Sequence, residues 1–229
     1  MALSNFTKNY GISGPPAYPN ANKRYFNHNS GSAQSDKVLL VVATMANVYN
    51  NPNFTTATYG GVTMTRDIRK YFNGLQQRQV VYSLVNPSDG TNQLVLNISQ
   101  PQYNGVSIAC YTFIGCAGVG NSGVSGGVST PNTKSLTCSA NSIIMLTGIS
   151  IQSQNGSPYR IGTQSSITQL FYHNVNDQVS GVLSSNVSAG SVTCQTKVTS
   201  GNITNIRVEM LEASAPPSGN SGNFLMMFN

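Results

Sequence analysis

Charged residues are scarce in this chain of 229 residues: Lys and Arg number 12, Asp and Glu number 6, and together they make up 8% of the sequence. An ordinary soluble domain carries about 25% charged residues. Glutamate and lysine normally cover the solvent side of helices, and two Glu and six Lys are too few to cover a helical chain of this length. The scarcity therefore argues against a largely helical fold.

Long apolar runs are also missing. The two main runs, Val38 to Ala43 and Phe224 to Phe228, fall far short of the roughly 18 to 20 residues of a membrane-spanning helix. The first eight residues lack the apolar stretch of a secretory signal, which predicts synthesis in a cytosol. The polar surface comes instead from 29 Ser and 27 Asn, which favour turns and strand edges. This composition predicts an all-β protein that does not enter a membrane.

Residues that hold transition metals are few. The four cysteines form no C-x-x-C pair, and the two histidines, His28 and His173, lie far apart in the chain. Neither pattern is that of a zinc site, so we expect no metal and no cofactor. We interpret both histidines as surface or capping residues. Buried free thiols are expected, while a disulfide from Cys110 or Cys116 to Cys138 or Cys194 stays open.

The glycine-rich segment 118–127 matches both the G-x-G-x-x-G dinucleotide pattern and the G-x-S-x-G nucleophile elbow. Each pattern needs a helix directly after it, and the residues that follow have no helical character. The order of a hydrolase triad also fails, because Asp177 follows His173. Glu209, beside Arg207, is interpreted as an outward-facing strand residue in a charge pair. We therefore interpret the segment as a glycine-rich loop and expect no enzymatic activity.

Strand signals begin at Lys37. The run Val38 to Ala43 is typical of a strand buried on both faces, and Gly60-Gly61 predicts a tight hairpin. About ten short strands follow with turn residues between them, which indicates an antiparallel β-sandwich or jelly roll. Residues 66–74 are compatible with one or two turns of helix or with a basic loop. Two strands alternate apolar and polar residues and should have one wet face, with apolar positions at Leu94, Leu96 and Ile98 and at Ile206, Val208 and Met210.

Composition divides the chain into three parts. Residues 1–36 have many Pro, Gly and Asn residues and no apolar period, which predicts an extended N-terminal arm. Residues 37–213 form the predicted β-sandwich domain. Residues 214–229 read as a Pro, Gly and Ser linker followed by the hydrophobic segment 224–228, which we expect to insert into a groove on a neighbouring protein.

All of the net positive charge lies in the first third of the chain. Residues 1–80 hold eight basic and two acidic residues, whereas residues 81–229 hold four of each. This asymmetry indicates an acidic partner, and a net charge of +6 is modest for a protein that must neutralise many phosphates, so nucleic acid is less favoured. The predicted partner-binding residues are Lys8, Lys23, Arg24, Arg66, Arg69, Lys70, Phe224, Leu225, Met226, Met227 and Phe228.

The segment Thr58 to Thr65, Thr-Tyr-Gly-Gly-Val-Thr-Met-Thr, resembles a recurring motif of small β-sandwich proteins encoded by tailed bacteriophages. Further features agree in spacing: Tyr82 in the next apolar strand, a turn with Asn86-Pro87 and Gly90-Thr91, and the later strand from Val106 to Tyr111. The resemblance covers residues 37–213 and leaves both tails unmatched.

The resemblance implies a virion protein with a jelly-roll-like fold and names no catalytic residues. It implies either a head decoration or cement protein or a tail or fibre module. We expect capsid decoration, in which the basic N-terminal arm and the apolar C-terminal segment bind neighbouring subunits of an acidic shell. The expected partners are the major capsid protein or other virion proteins, with a homo-oligomeric state. The alternative is a tail or fibre module that binds a host-surface glycan or protein. Loops rich in Tyr and Asn, at residues 49–54 and 103–105, are the predicted contact sites for that alternative.

Overall fold

The chain is all-β. The computed structural model describes residues 6–13, 22–45, 52–72, 77–100, 106–127, 132–150, 159–161, 168–175, 177–184, 186–196 and 203–213. Every helix or strand element in these ranges is a strand, and the strands form antiparallel sheets that pack against one another, which confirms the predicted β-sandwich class. A helix with the length and apolar character to cross a membrane does not occur in the described ranges.

The first nine strands form two sheets that face each other, which we call roll 1. Its inner sheet has the order β1-β9-β3-β7-β6 and its outer sheet the order β2-β8-β4-β5. The strands are β1 (Phe6–Ser13), β2 (Lys23–Asn29), β3 (Lys37–Met45), β4 (Phe54–Tyr59), β5 (Val62–Thr63), β6 (Thr65–Phe72), β7 (Gln77–Val85), β8 (Thr91–Ile98) and β9 (Val106–Ile114).

The remaining eight strands form a second pair of sheets, roll 2. Its inner sheet has the order β10-β17-β12-β15-β14 and its outer sheet the order β11-β16-β13. The strands are β10 (Cys116–Gly127), β11 (Asn132–Cys138), β12 (Ile143–Ser150), β13 (Tyr159–Ile161), β14 (Thr168–Val175), β15 (Asp177–Leu183), β16 (Gly190–Thr196) and β17 (Ile203–Glu212).

The two rolls have the same topology. In roll 1 the last strand, β9, lies between β1 and β3, and β8 lies between β2 and β4. In roll 2 the last strand, β17, lies between β10 and β12, and β16 lies between β11 and β13. This alternation of strands between two facing sheets is the order of a jelly roll. The one difference among the described strands is that β5 has no counterpart in roll 2.

The sheets stack in four layers, with the two inner sheets face to face. Alternate residues of β3 show this: Leu39 and Val41 pack toward the outer sheet of roll 1, whereas Val38 and Leu40 pack in the core shared with roll 2. All nine residues of β3 are buried. The prediction of a strand buried on both faces is therefore confirmed, and the reason is a sheet covered on each side.

Contacts between the two inner sheets indicate that an approximate two-fold rotation relates roll 1 to roll 2. Strand β6 of roll 1 contacts β10 of roll 2, and β1 contacts β14. Strands β1 and β10 are the first strands of their rolls, and β6 and β14 are equivalent edge strands. The two contacts are therefore the same contact with the rolls interchanged. An isologous dimer has the same arrangement. The single chain thus packs two jelly rolls as a dimer packs two subunits.

The structure corrects three predicted elements. Within the predicted arm 1–36, β1 pairs with β9 and β2 pairs with β8, so these residues complete the sheets of roll 1. The predicted glycine-rich loop 118–127 lies in strand β10, which pairs with β17. Residues 66–72 are part of strand β6 rather than a helix or a loop. In each case the segment forms a strand because it pairs with a strand that is distant in the sequence, although its own sequence pattern favours a strand only weakly.

The predicted Gly60-Gly61 hairpin is confirmed. These two residues join β4 to β5 with φ values of 55° and 83°, the left-handed region in which a side chain is strained. The alternation of Leu94, Leu96 and Ile98 is confirmed as well, since all three are buried and Thr91, Gln93 and Val95 are not.

The prediction of one wet face for β17 is wrong. Arg207 and Glu209 are 4% and 1% exposed and lie inside roll 2 rather than on its surface. The guanidinium of Arg207 donates to the Ser125 hydroxyl at 2.9 Å and to the Asn205 side-chain oxygen at 3.0 Å. Buried charges persist only when they are hydrogen-bonded in this way.

Glycines of β10 make room for these two side chains. A Cβ at Gly120 would stand 2.4 Å from a carboxylate oxygen of Glu209, and one at Gly123 would stand 2.8 Å from Arg207 Nη2. The backbone N–H groups of Asn121 and Ser139 donate to the Glu209 carboxylate. Burial raises the pKa of Glu209, but these hydrogen bonds outweigh it and hold the pKa below its ordinary value.

We expect Gly120→Ala to lower the free energy of unfolding by about 2 kcal/mol, because the added methyl overpacks the site that Glu209 occupies. Urea unfolding measures this as a lower midpoint with an unchanged m-value. The matched control is Ser122→Ala at an exposed position of the same strand, which should change the midpoint little. Equal effects of the two substitutions would show that the glycine is not needed for packing.

His28 is not a surface residue, in contrast to its interpretation from the sequence. It is fully buried in roll 1, and its Nε2 shares a hydrogen bond of 2.8 Å with the Thr112 hydroxyl of β9. Burial lowers the pKa of His28 to about 4 because the charged imidazolium is desolvated. The folded protein therefore holds a neutral histidine at acidic pH where the unfolded chain is already protonated.

Stability should fall as the pH drops from about 6.5 to about 4, since the unfolded state binds a proton that the folded state does not. The expected loss is about 2 kcal/mol over this range. In His28→Gln, which keeps a nitrogen donor near the Thr112 hydroxyl, this part of the pH dependence should disappear. Chemical unfolding at pH 4, 5, 6 and 7 tests the expectation, and parallel curves for the two proteins would contradict it.

Candidate functional site

The structure separates the predicted partner-binding residues into groups. Arg66, Arg69 and Lys70 lie together and exposed on β6. Lys23 is exposed on β2, which contacts β1 and β9 at the opposite side of roll 1 from β6. Lys8 lies on β1, and its side chain is outside the described residues, as are all atoms of segment 224–228.

Arg24 is not available to a partner. It is 1% exposed, and its guanidinium donates to the backbone carbonyl of Lys23 at 3.0 Å. Burial lowers its pKa from the ordinary value. The sequence placed Arg24 beside Lys23 in one basic pair, but alternate strand residues point to opposite faces of a sheet, so only Lys23 faces solvent.

Strand β6 forms a basic edge. It is the terminal strand of the inner sheet of roll 1 and pairs only with β7 among the described strands, so one row of its backbone groups has no strand partner there. Arg66 and Arg69 donate to the carbonyls of Thr55 and Phe54, each at 3.4 Å. These bonds tie the edge of the inner sheet to the start of β4 and hold two guanidinium groups at the surface.

A third arginine supports the basic edge from inside. Arg78 on β7 is 2% exposed, donates from Nε to the Pro52 carbonyl at 2.9 Å, and lies over the ring of Tyr71 on β6. Burial lowers the pKa of Arg78 to about 10, while the Tyr71 side chain raises it and Arg69 lowers it further. The packing of Arg78 against Tyr71 fixes the strand that presents the exposed charges.

Asp67 occupies a β-bulge within the basic edge, between Arg66 and Ile68. Its carboxylate accepts a hydrogen bond of 3.0 Å from the Ser83 hydroxyl, and its second oxygen is buried. Burial raises the pKa of Asp67 to about 6, despite the opposing hydrogen bonds from Ser83 and from the backbone. Bulges at sheet edges commonly re-aim side chains, and this one interrupts the edge at the point where the charges cluster.

A groove of about 520 Å³ lies at one end of roll 1, between the β2–β3 and β7–β8 connections. Lys37 is 2% exposed at this groove, and its ammonium bonds the Asp89 carboxylate and the Ser32 carbonyl. Sequence reasoning missed Lys37 and Asp89 as candidates. The signal that could have found them is the turn motif around Asn86-Pro87 and Gly90-Thr91, which forms one wall of the groove.

The Tyr59-Gly60-Gly61 hairpin and the β7–β8 turn meet next to this groove. The Tyr59 hydroxyl donates to the His28 carbonyl at 2.8 Å and contacts the Gly90 carbonyl at 3.3 Å. At Gly60, an added Cβ would stand 3.1 Å from the Ser88 hydroxyl. Packing of the Tyr-Gly-Gly hairpin on the β7–β8 turn therefore explains why these distant segments carry their particular residues.

The four cysteines are free and buried, as expected. Burial raises the pKa of Cys116 and Cys194 to about 11 and that of Cys138 to about 12. The thiols are thus protonated at neutral pH and poor nucleophiles. Within the described ranges, no group of three or more His, Cys, Asp or Glu side chains is placed to hold a metal ion.

Comparison with known proteins finds no match to this chain among family models, curated proteins or solved structures.

We expect Asp67→Asn to stabilise the protein at pH 7 by about 1 kcal/mol, a small value because the side chain is only partly buried. A carboxyl with a raised pKa favours folding when protonated, so its ionisation lowers stability as the pH rises from about 4 to 6. The difference between variant and wild type should therefore vanish near pH 4. Thermal or urea unfolding across this range measures it, with exposed Asp36→Asn as the control.

Proposed function

We propose that this chain is a non-enzymatic structural protein of a tailed-bacteriophage particle, a capsid decoration or cement protein that binds neighbouring virion subunits through its basic edge. The partner is the major capsid protein or another virion protein with an acidic surface. The protein acts by adding contacts between subunits, and needs no cofactor for this role.

The observation that carries the proposal is the exposed basic edge on β6. An edge strand offers unpaired backbone groups to an added strand, and side chains set which strand it accepts. Here Arg66, Arg69 and Lys70 surround that edge, so an acidic extended segment is the matching partner. Of the exposed basic side chains that the structure describes, three lie on this edge, and the others are Lys23 and Lys134.

The fold supports the same role by analogy. Jelly rolls occur widely in viral capsid proteins and also in lectins, and the capsid role is the one that agrees with the basic edge. In this chain the rolls bury their inner sheets against each other and leave the outer sheets to face solvent. The outer sheet of roll 1 exposes Lys23, Tyr25 and Asn27, a polar surface of the kind that forms contacts within assemblies.

The hydrophobic segment 224–228 stays a predicted anchor, and homo-oligomer formation stays a prediction too. Both fit the proposal, because five large apolar residues that follow a Pro-, Gly- and Ser-rich segment are expected to insert into a neighbour.

Quantitative mass spectrometry of purified particles tests the proposed role. A decoration or cement protein should occur at one copy per major capsid subunit or at a simple fraction of that number. A few copies per particle would place the protein in the tail or a fibre, and its absence from particles would reject the virion role.

We expect the double variant Arg69→Glu with Lys70→Glu to reduce attachment to particles that lack the protein at least tenfold in low salt. The reversed charges repel an acidic partner, and the difference should shrink as salt screens the interaction. Co-sedimentation with such particles measures it. The control is Lys134→Glu, an exposed reversal in roll 2, and both proteins are first compared by thermal unfolding. Equal attachment of both variants would remove the basic edge from the interface.

The second candidate function is recognition of a host surface by a tail or fibre module. The groove at Lys37 and Asp89 favours it, because a concave site with a few polar groups on its walls is a typical small-ligand site. Of the predicted contact loops, residues 49–51 and 103–105 lie outside the described residues, and residues 52–54 lie within them.

A further inference from the structure

The groove of roll 1 has features of a built site. Its volume of about 520 Å³ lies within the range of small-molecule sites. One wall is formed by residues 33–35 and the other by residues 86–89. The side chains that line it supply amides from Gln34 and Asn86, hydroxyls from Ser35 and Ser88, and one carboxylate from Asp89.

The charge in the groove is balanced. Lys37 is buried, and its ammonium contacts the Asp89 carboxylate, so a positive and a negative group compensate each other. A charged ligand would have to compete with this pair, whereas a neutral ligand would not. The Asp89 side chain remains 48% exposed, so the carboxylate is still accessible as a hydrogen-bond acceptor.

The wall formed by residues 86–89 is held in place by hydrogen bonds. The N–H of Asn86, a residue with a φ of 50°, donates to the Lys37 carbonyl at 2.7 Å. Gly90 and Gly31 are joined by a backbone bond of 2.8 Å, and Asn92 donates to the Asp89 carbonyl at 3.0 Å. A ligand therefore meets a wall that is already ordered, which lowers the entropy lost on binding.

We propose that this groove binds a neutral, polyhydroxylated ligand, a hexose unit, with Asp89 accepting hydrogen bonds from sugar hydroxyls and the amides of Gln34 and Asn86 completing the contacts. The exposed Ala33 supplies a small apolar surface for the C–H groups of the sugar ring. Hydroxyl groups both donate and accept, which matches walls that mix amides, hydroxyls and a carboxylate. The proposal stands whether the protein sits on the capsid or on the tail.

The test is titration of the full chain with glucose, galactose, mannose and N-acetylglucosamine, followed by amide shifts in ¹⁵N-correlated NMR spectra. We expect at least one sugar to shift the amides of residues 33–37 and 86–90 with a Kd of about 1 to 10 mM, as suits a single sugar in an open site. No localised shift with any of the four sugars at 100 mM would overturn the proposal.

Substitutions test whether the sugar binds in the groove or elsewhere on the surface. Ser35→Tyr, which fills the groove from an exposed position, should abolish the shifts, and Gln34→Ala should weaken binding at least threefold. Gln93→Ala, at an exposed position of β8, is the matched control and should bind as wild type. Binding that survives Ser35→Tyr unchanged would show that the sugar binds elsewhere.

Asp89→Asn tests the carboxylate, with an expected loss of at least fivefold in affinity. Since this change also removes the partner of buried Lys37, the folding of the variant is checked by thermal unfolding. If it does not fold, Gln34→Ala and Ser35→Tyr decide the question.

Methyl glycosides distinguish the source of the sugar. Binding of a methyl glycoside as tight as that of the free sugar indicates a unit within a glycan chain, and loss of binding indicates a free sugar.

Discussion

Face-to-face packing of the two inner sheets is the contact on which the rest of the structure depends. It buries Val38 and Leu40 of roll 1 against Met145 and Val208 of roll 2, so both inner sheets are covered on each side. A buried hydrogen bond of 3.0 Å from the Thr204 hydroxyl to the Gln77 side chain joins the same sheets. This packing buries the apolar faces of the two inner sheets. The polar outer sheets and the sheet edges therefore face solvent and are available to partners.

The two rolls share a topology but differ in their interiors. Among the side chains that the structure describes, those between the sheets of roll 1 form a large apolar cluster, and those between the sheets of roll 2 form a smaller one together with Arg207 and Glu209. In a chain with few charges, placing two of them inside roll 2 leaves its described surface still less charged. The basic edge and the groove both lie on roll 1, so the functional hypotheses concern one half of the molecule and roll 2 contributes mainly through the shared core.

Sequence reasoning succeeded where a local pattern is itself the physical cause. Gly60-Gly61 forms the predicted hairpin because the turn needs two positive φ values, and alternation at Leu94 and Leu96 follows from one face being buried. It failed at segment 118–127, where glycines serve to accommodate the side chains of a strand some 85 residues away. Nothing adjacent to those glycines in the chain indicates this role.

Some properties of the candidate sites can likewise be predicted from the sequence, and others depend on the fold. Composition and charge placement determined the all-β class and a basic first third, since both are sums over residues that no folding changes. Packing of the sheets buries Arg24 and His28, puts Arg66 and Arg69 on a sheet edge, and brings Lys37 to Asp89 at a groove. Whether a side chain is exposed, and which side chains lie near it, depends on which distant strands pair and which sheet covers them. The sequence of one strand does not specify its partner.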